Sequence, residues 1–444
     1  RGALVMAREE TQRETNPNAV AMPENDIRDA SLAPEGHRKI AWVRRNMPIL
    51  RSLEERFTRE KPFTGLRAAV SVHLEAKTAY LALVLAAGGA QVSVTGSNPR
   101  STKDDVTAAL VERGIHVYAA FNADRETFER HQLTAREVRP HFVIDDGGDL
   151  VHHLHEQASR CAENVIGACE ETTAGVLRNK ARAAAGRLRF PVIAVNDAYM
   201  KHLFDNRYGT GQSTLDAIMR TTNLLVTGKA LVVAGYGWCG RGIAHRAAGM
   251  GAHVTVCEVD EIKALEAVMD GYTVAPMVET VPTADFIVTT TGVKDVLTSD
   301  HIAGMKDGVV LANAGHFFDE IDIGFLEANA AEKTELRTNL TGYRLTDGRW
   351  INVIADGKIV NISAADGHPA EIMDTSFAVQ ALSAEYLVQS KRAGTEIPVA
   401  VVTVPRDIDY TVARMRLESI GVRHDRLSEE QQAYLDDFHK ITKV

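Results

Sequence analysis

Residues 229–260 limit the folds open to this chain more than any other stretch. The apolar run Ala230, Leu231, Val232, Val233, Ala234 leads into Gly235-Tyr236-Gly237-Trp238-Cys239-Gly240, and Ile243 and Ala247 follow on what would be one helix face. Each glycine answers a steric demand. Gly235 allows the tight turn, Gly237 lets backbone approach a pyrophosphate, and Gly240 lets helix pack closely on strand. The helix start then aims free amides at phosphate oxygens. A second apolar run, 253–257, ends at Glu258, where a carboxylate can accept both hydroxyls of a ribose. A glycine turn alone occurs in many unrelated loops. Strand, helix, second strand and terminal acid together point to bound NAD, the acid disfavouring the 2′-phosphate of NADP.

Length and charge bound the rest. A chain of 444 residues exceeds one ordinary core, so two domains are expected. A formal net charge of −9 argues against nucleic acid as a partner, because phosphate backbones are bound by Lys and Arg. No apolar run approaches the roughly 20 residues of a membrane span. Cys161, Cys169, Cys239 and Cys257 have neither metal-ligand spacing nor disulfide density, so they read as cytoplasmic thiols, with no metal site. The polar residues 1–25 read as a disordered arm.

Short apolar runs at 67–72, 90–95, 115–118, 142–144 and 192–195 alternate with helical stretches, the pattern of a parallel sheet with crossover helices. His73, Asn98, Asp146 and Asn196 follow directly on strand ends, where such sheets gather ligands. A second series begins after a helix at 213–225, with strands at 230–234, 253–257, 286–290 and 309–312. Strand-like runs come next at 350–354 and 359–362, then a long helix at 372–389. The fold class is α/β: two doubly wound parallel-sheet (Rossmann-like) domains plus a small C-terminal segment.

Several longer words carry a resemblance. They are Asp146-Gly147-Gly148-Asp149-Leu150, Glu170-Glu171-Thr172-Thr173, Val195-Asn196-Asp197, Lys201 with Phe204-Asp205-Asn206 and Tyr208-Gly209, the glycine loop, Asn313-Ala314-Gly315-His316-Phe317, and Gly367-His368-Pro369. From about Asp26 to near its end, the chain resembles the S-adenosylhomocysteine hydrolase family, in particular its short archaeal and thermophile branch. The resemblance implies a resident NAD that oxidises the ribose 3′-hydroxyl of a nucleoside substrate and is restored within the same turnover. The 3′-ketone acidifies the 4′ C–H, the 5′ substituent is eliminated, water adds, and the ketone is reduced again.

By the same resemblance, Lys201 and Asp205 lie at the 3′-hydroxyl and C4′, with Lys201 as base or proton relay. Beside a cationic nicotinamide its amine could be neutral near neutrality. Taken alone, Lys and Asp four apart read as an ordinary helix-surface ion pair. His73 and Asp146 match the pair that handles leaving group and water, and His316 lies between ribose and nicotinamide. Glu75, Lys77, Glu171 and His368 match substrate contacts. Thr172, Thr173, Asn206, Asn313 and Asn361 join Gly235, Gly237, Gly240 and Glu258 as cofactor contacts. The implied domains are 26–211 with 367–421 for substrate, 212–366 for NAD, and 422–444 for assembly into a homodimer or homotetramer.

The departures matter. Where the widespread form has Thr two residues after the His and Glu four after, this chain has Glu75 and Lys77, which turns an acceptor at the base edge into a donor. That leaves an adenosyl or an inosyl thioether open as substrate. Ala174 and Ala198 replace hydroxyl residues near the cofactor, and no Lys-x-x-x-Tyr element follows Tyr434, so looser NAD retention is expected. A rival reading keeps the chemistry but expels water: a nucleoside dehydratase of nucleoside-antibiotic biosynthesis that stops at the 4′,5′-alkene. A non-catalytic NAD-binding regulator is disfavoured by the presence of Lys201 and Asp205.

Overall fold

The structure is a computed structural model that describes residues 18–156, 160–316 and 318–437. Its strands divide between two sheets. The first contains β1 (Arg67–Val72), β2 (Gln91–Gly96), β3 (His116–Tyr118), β4 (Phe142–Asp145), β5 (Gly167–Glu170) and β6 (Val192–Ala194). The second contains β7 (Ala230–Ala234), β8 (His253–Cys257), β9 (Thr273–Val274), β10 (Phe286–Thr289), β11 (Val309–Asn313), β12 (Ala330–Arg337), β13 (Leu340–Leu345) and β14 (Trp350–Ile354). A last strand, β15 (Val401–Thr403), returns to the first sheet beside β6.

The first sheet runs β15-β6-β5-β4-β1-β2-β3 and is parallel throughout. β1, β2, β4, β5 and β6 are buried along their whole length, which is why their sequences read as continuous runs without polar alternation. The chain winds from β1 to β3 toward one edge, returns to β4, then winds to the other edge. The reversal therefore falls between β1 and β4. In the second sheet, β12-β13-β14-β11-β10-β7-β8-β9, it falls between β7 and β10. Each reversal opens a crevice at the carboxyl ends of the strands, the usual ligand site of such sheets.

The helix Ala370–Arg392 then carries the chain back across the first sheet. Sixteen of its 23 residues are buried, too many for a one-sided surface helix, so it forms part of the core.

Four features differ from the sequence expectations. Residues 18–25 are docked, not a free arm: Gln91 grips the backbone of Val20 at both N and O (2.7 Å each), and Asn25 Oδ1 accepts from Val117 N. Polarity was a poor guide because the segment is held by hydrogen bonds between side-chain amides and backbone, which need no apolar residues; residues 1–17 lie outside the described residues. The run 359–362 is not a strand. Val360–Ser363 is helical and only Ile359 bridges to Asn313, because a short apolar run suits a buried helical turn equally well. The hairpin β12–β13 gave no signal, as β12 is a polar, exposed edge. Lys201 and Asp205 do not share a regular helix: after Tyr199–Lys201 the segment His202–Gly209 is a π-helix.

Among the described residues no helix is long and apolar enough to cross a membrane. At the far end, the helix Glu429–Asp436 has no buried residue.

Candidate active site

Strand register brings the site together. Ser71 pairs with Asp145, Asp145 with Glu170, and Glu170 with Ala194, so these ends lie level. His73, Asp146, Glu171 and Asn196 therefore emerge side by side at the β1–β4 crevice, and each expected strand-end residue is where the sequence put it.

His73 Nε2 stands 3.6 Å from Asp146 Oδ2, which also accepts from Ser97 Oγ at 3.0 Å. Burial pushes the His73 imidazole below its ordinary range, although the Asp146 carboxylate opposes this. The turn after Asp146 is clamped from beneath: Glu170 Oε1 accepts from Gly147 N (2.9 Å) and Thr172 N (3.0 Å). His316, from the second sheet, rests on this turn, its Nε2 2.9 Å from where a side chain on Gly147 would begin.

Lys201 lies behind this pair. Its Nζ is 3.4 Å from Asp205 Oδ1 and 3.6 Å from Glu171 Oε1, and donates to Asn206 Oδ1 at 2.8 Å. The last contact joins residues five apart, which a π-helix stacks and an α-helix separates. Asn206 in turn donates to Asn196 Oδ1, and Asn196 to Thr173 Oγ1.

The two carboxyls differ in their support. Asp205 accepts from Ser376 Oγ at 2.7 Å and faces His368 Nδ1 at 3.2 Å. Burial alone would raise its pKa, but Lys201 and His368 outweigh burial and hold it well below the usual range. Glu171 has one hydrogen bond, from Gln380 Nε2 at 2.5 Å, and burial pushes it up to about 7 against the pull of Lys201. Lys201, which burial would lower, is raised by the charges of Asp205 and Glu171. Its protein surroundings thus favour the ammonium ion, and the neutral amine expected beside a cationic nicotinamide depends on that added charge.

Ser376 and Gln380 were not foreseen. They sit four residues apart on the buried helix Ala370–Arg392, among other buried polar residues such as Asp374, Thr375 and Ser383, so nothing local singled them out. Ser97 and Ser101 were also missed.

His368 closes the far side. Its Nε2 faces Thr210 Oγ1 (3.2 Å) and Asn361 Nδ2 (3.3 Å). Lys77 and Glu75 are both buried and paired at 2.8 Å; Lys77 Nζ also donates to the Asp366 carbonyl at 3.1 Å, two residues before His368. Asp146 Oδ1, Glu171 Oε1 and Asn361 Oδ1 are buried without a hydrogen-bond partner among the described residues. Each such acceptor costs about 1–3 kcal/mol, which a polar ligand in the crevice removes.

The glycine loop occupies the β7–β10 reversal. Gly235 has φ +99°, closed to most side chains, and a Cβ on Gly240 would lie 1.9 Å from the Gly235 carbonyl. Above Gly237, by contrast, a Cβ would meet nothing within 4 Å. That open space at a helix start is the cradle a pyrophosphate needs. Glu258 Oε2 accepts from Tyr236 N (2.6 Å), so this strand-end acid is held against the loop. Of the other expected cofactor contacts, Thr172 caps the helix Thr173–Ala184 through Gly175 N, and Asn313 ties its own strand end to Gly315 N and Gly357 O. Across the crevice, Arg100 pairs with Asp356 at 3.2 Å.

Fold and site together define a dinucleotide-dependent enzyme with a second α/β unit for its substrate. Residues 24–161 match the family model described as S-adenosyl-L-homocysteine hydrolase, and 206–367 match that of its NAD binding domain. An adenosylhomocysteinase of Thermotoga maritima is 54% identical over 90% of this chain and 98% of its own length. An S-inosyl-L-homocysteine hydrolase of Methanopyrus kandleri is 51% identical over 94% and 98%. The chain belongs to the S-adenosyl-L-homocysteine hydrolase family and is an NAD-dependent hydrolase.

Proposed function

We propose that this enzyme hydrolyses S-adenosyl-L-homocysteine or S-inosyl-L-homocysteine to homocysteine and the nucleoside. The observation that carries this reading is the convergence of Lys201, Asp205 and Glu171 with His73 and Asp146 at one crevice, next to His316. When bound, NAD accepts a hydride from the 3′-carbon and returns it at the end of the turnover. Glu171, held by Gln380, takes the ribose hydroxyls. Lys201, as the neutral amine favoured while the oxidised cofactor's positive charge stands beside it, takes the 3′-hydroxyl proton as the hydride leaves and relays it to Glu171; it then takes the C4′ proton, and from this solvent-exchanging pair C4′ is reprotonated as water adds and the 3′ oxygen as the ketone is reduced. His73 and Asp146 protonate the departing sulfur and then activate water. His316 and His368 close over the ribose and base, and Asn361 offers its orphan carbonyl to the cofactor side.

Glu75 and Lys77 support the choice of base. Adenine presents an amine donor and the N1 acceptor, and hypoxanthine presents a carbonyl acceptor and the N1–H donor. An acid beside an ammonium complements either base with the roles exchanged.

The division proposed is 26–211 with 367–421 for substrate and 212–366 for NAD. The segment 422–444 serves assembly, which is supported by the wholly exposed helix Glu429–Asp436, with Tyr434 and Leu435 half-exposed to solvent in the single subunit. The assembly proposed is a homodimer or homotetramer. Cys169, Cys239 and Cys257 form no disulfide, which suits a cytoplasmic enzyme.

The test is incubation of holoenzyme with each thioether and with free nucleosides, following thiol release and product mass. Thiol from either thioether supports the reading. No thiol, with loss of one water's mass from a nucleoside, replaces it with the dehydratase.

A further inference from the structure

The proposed 5′ chemistry requires His73 to present the correct ring nitrogen, and the structure shows what chooses it. His73 Nδ1 lies 2.6 Å from Ser101 Oγ, and Ser101 is fully buried. The same Oγ lies 2.9 Å from the carbonyl of Asn98. A carbonyl can only accept, so the single hydroxyl proton of Ser101 is directed at Asn98. The oxygen is then left to accept, and the partner that must donate is His73 Nδ1–H.

We infer that Ser101 is a positioning residue that fixes His73 as the Nδ1–H tautomer, so that Nε2 carries the lone pair facing Asp146 and the reacting 5′ centre. The assignment rests on the reading of His73 above. The opposite arrangement, with Nε2–H toward Asp146, lacks a hydrogen bond there, since 3.6 Å is too long for one. Burial lowers the imidazole pKa and so favours the neutral ring, which has one donor and one acceptor nitrogen, so the tautomer decides its function.

The turn that carries Ser101 is itself rigid. Asn98 Oδ1 accepts from Arg100 N at 2.9 Å, and Asn98 O accepts from Ser101 N at 3.2 Å. From the second sheet, Asp356 holds Arg100. The proton balance then closes. Nε2, the nitrogen left open, takes up a proton from solvent before the thioether is enclosed and gives it to the departing sulfur; neutral again, His73 takes one from the water whose oxygen bonds to C5′ and releases it to solvent with the product. It ends as it began.

The test uses NAD-loaded enzyme and two readouts: absorbance of reduced nicotinamide on adding adenosine, which reports 3′-oxidation, and thiol release from the thioether, which needs the 5′ step as well. Ser101→Ala is expected to leave 3′-oxidation within about twofold and to slow thiol release roughly 10- to 100-fold, inside the about 10²–10⁴ that a general acid–base supplies. In a His73→Gln background, Ser101→Ala should cost less than about twofold more, because it acts through that ring. Ser101→Thr, which keeps the hydroxyl, should recover part of the thiol release.

Equal loss in both readouts, an undiminished rate in Ser101→Ala, or a full further loss in the His73→Gln background overturns the assignment. Thiol release by wild type with an unaffected variant sinks the Ser101 inference alone. Failure of wild type to release thiol from either thioether overturns the proposed function with it.

Discussion

Lys201 Nζ and Asp205 Oδ1 face each other at 3.4 Å across the first turn of a π-helix, both nearly excluded from solvent. Surface pairs of this spacing contribute little. Here the geometry places one ammonium among Asp205, Glu171 and Asn206, where its removal takes the shared cation from two buried carboxyls. Lys201→Ala is expected to retain NAD, assayed after denaturation, and to give no reduced-nicotinamide absorbance when substrate is added. Stability should also fall, by at most the about 3–5 kcal/mol of a broken buried pair, since Glu171 can take up a proton. Unaltered turnover would remove Lys201 from the chemistry.

Gly237 separates cofactor binding from folding. Its φ of −71° is open to any residue, and the space above it is empty, so Gly237→Ala should leave the thermal midpoint of the NAD-free protein within about 1 °C. The methyl would stand where a pyrophosphate approaches, so NAD affinity should drop roughly tenfold or more. Gly240→Ala, which collides with the Gly235 carbonyl, should destabilise the protein itself. Equal loss of stability in both variants contradicts the cradle.

Much of this was legible in the sequence, and the reason is periodicity. Strand–helix alternation and the glycine loop are local patterns, so the sequence itself places residues such as His73, Asp146 and Gly235 at strand ends. The partners were not legible. Ser376 meets Asp205 across 171 positions and Gln380 meets Glu171 across 209, distances over which only the fold decides. Likewise, nothing local marks the widening of the helix after Lys201 that brings Asn206 to its ammonium.

Base preference should follow the Glu75–Lys77 pair. Installing the widespread residues together, Glu75→Thr with Lys77→Glu, keeps a side chain able to cap the helix Ala76–Ala87 and makes the edge an acceptor. The ratio of kcat/KM for the adenosyl over the inosyl thioether should rise by roughly tenfold or more. An unchanged ratio places base recognition elsewhere.

A pH effect on stability should come from Glu170. It is fully buried, and burial followed by the charge of Asp145 raises its carboxyl well above the ordinary value; Asp145 is itself pushed up to about 7, mainly by burial. The native state therefore binds protons that the unfolded chain has released above the ordinary carboxyl range. Stability is full below that range and declines as pH rises toward the native pKa values. Glu170→Gln imitates the protonated acid, and its carbonyl can still accept from Gly147 and Thr172. Its thermal midpoint should match wild type near about pH 5 and exceed it by a few degrees near about pH 9. A gap that does not widen with pH contradicts the buried acid.

The central claim is that cleavage proceeds through a 3′-ketone and proton removal at C4′, and isotope placement reads this directly. Hydrolysis of the thioether in heavy water, with the nucleoside product analysed by mass spectrometry and NMR, should give deuterium at C4′ while the 3′ hydrogen of the substrate is retained. A nucleoside released without deuterium at C4′ would mean direct displacement at C5′ and would contradict the account.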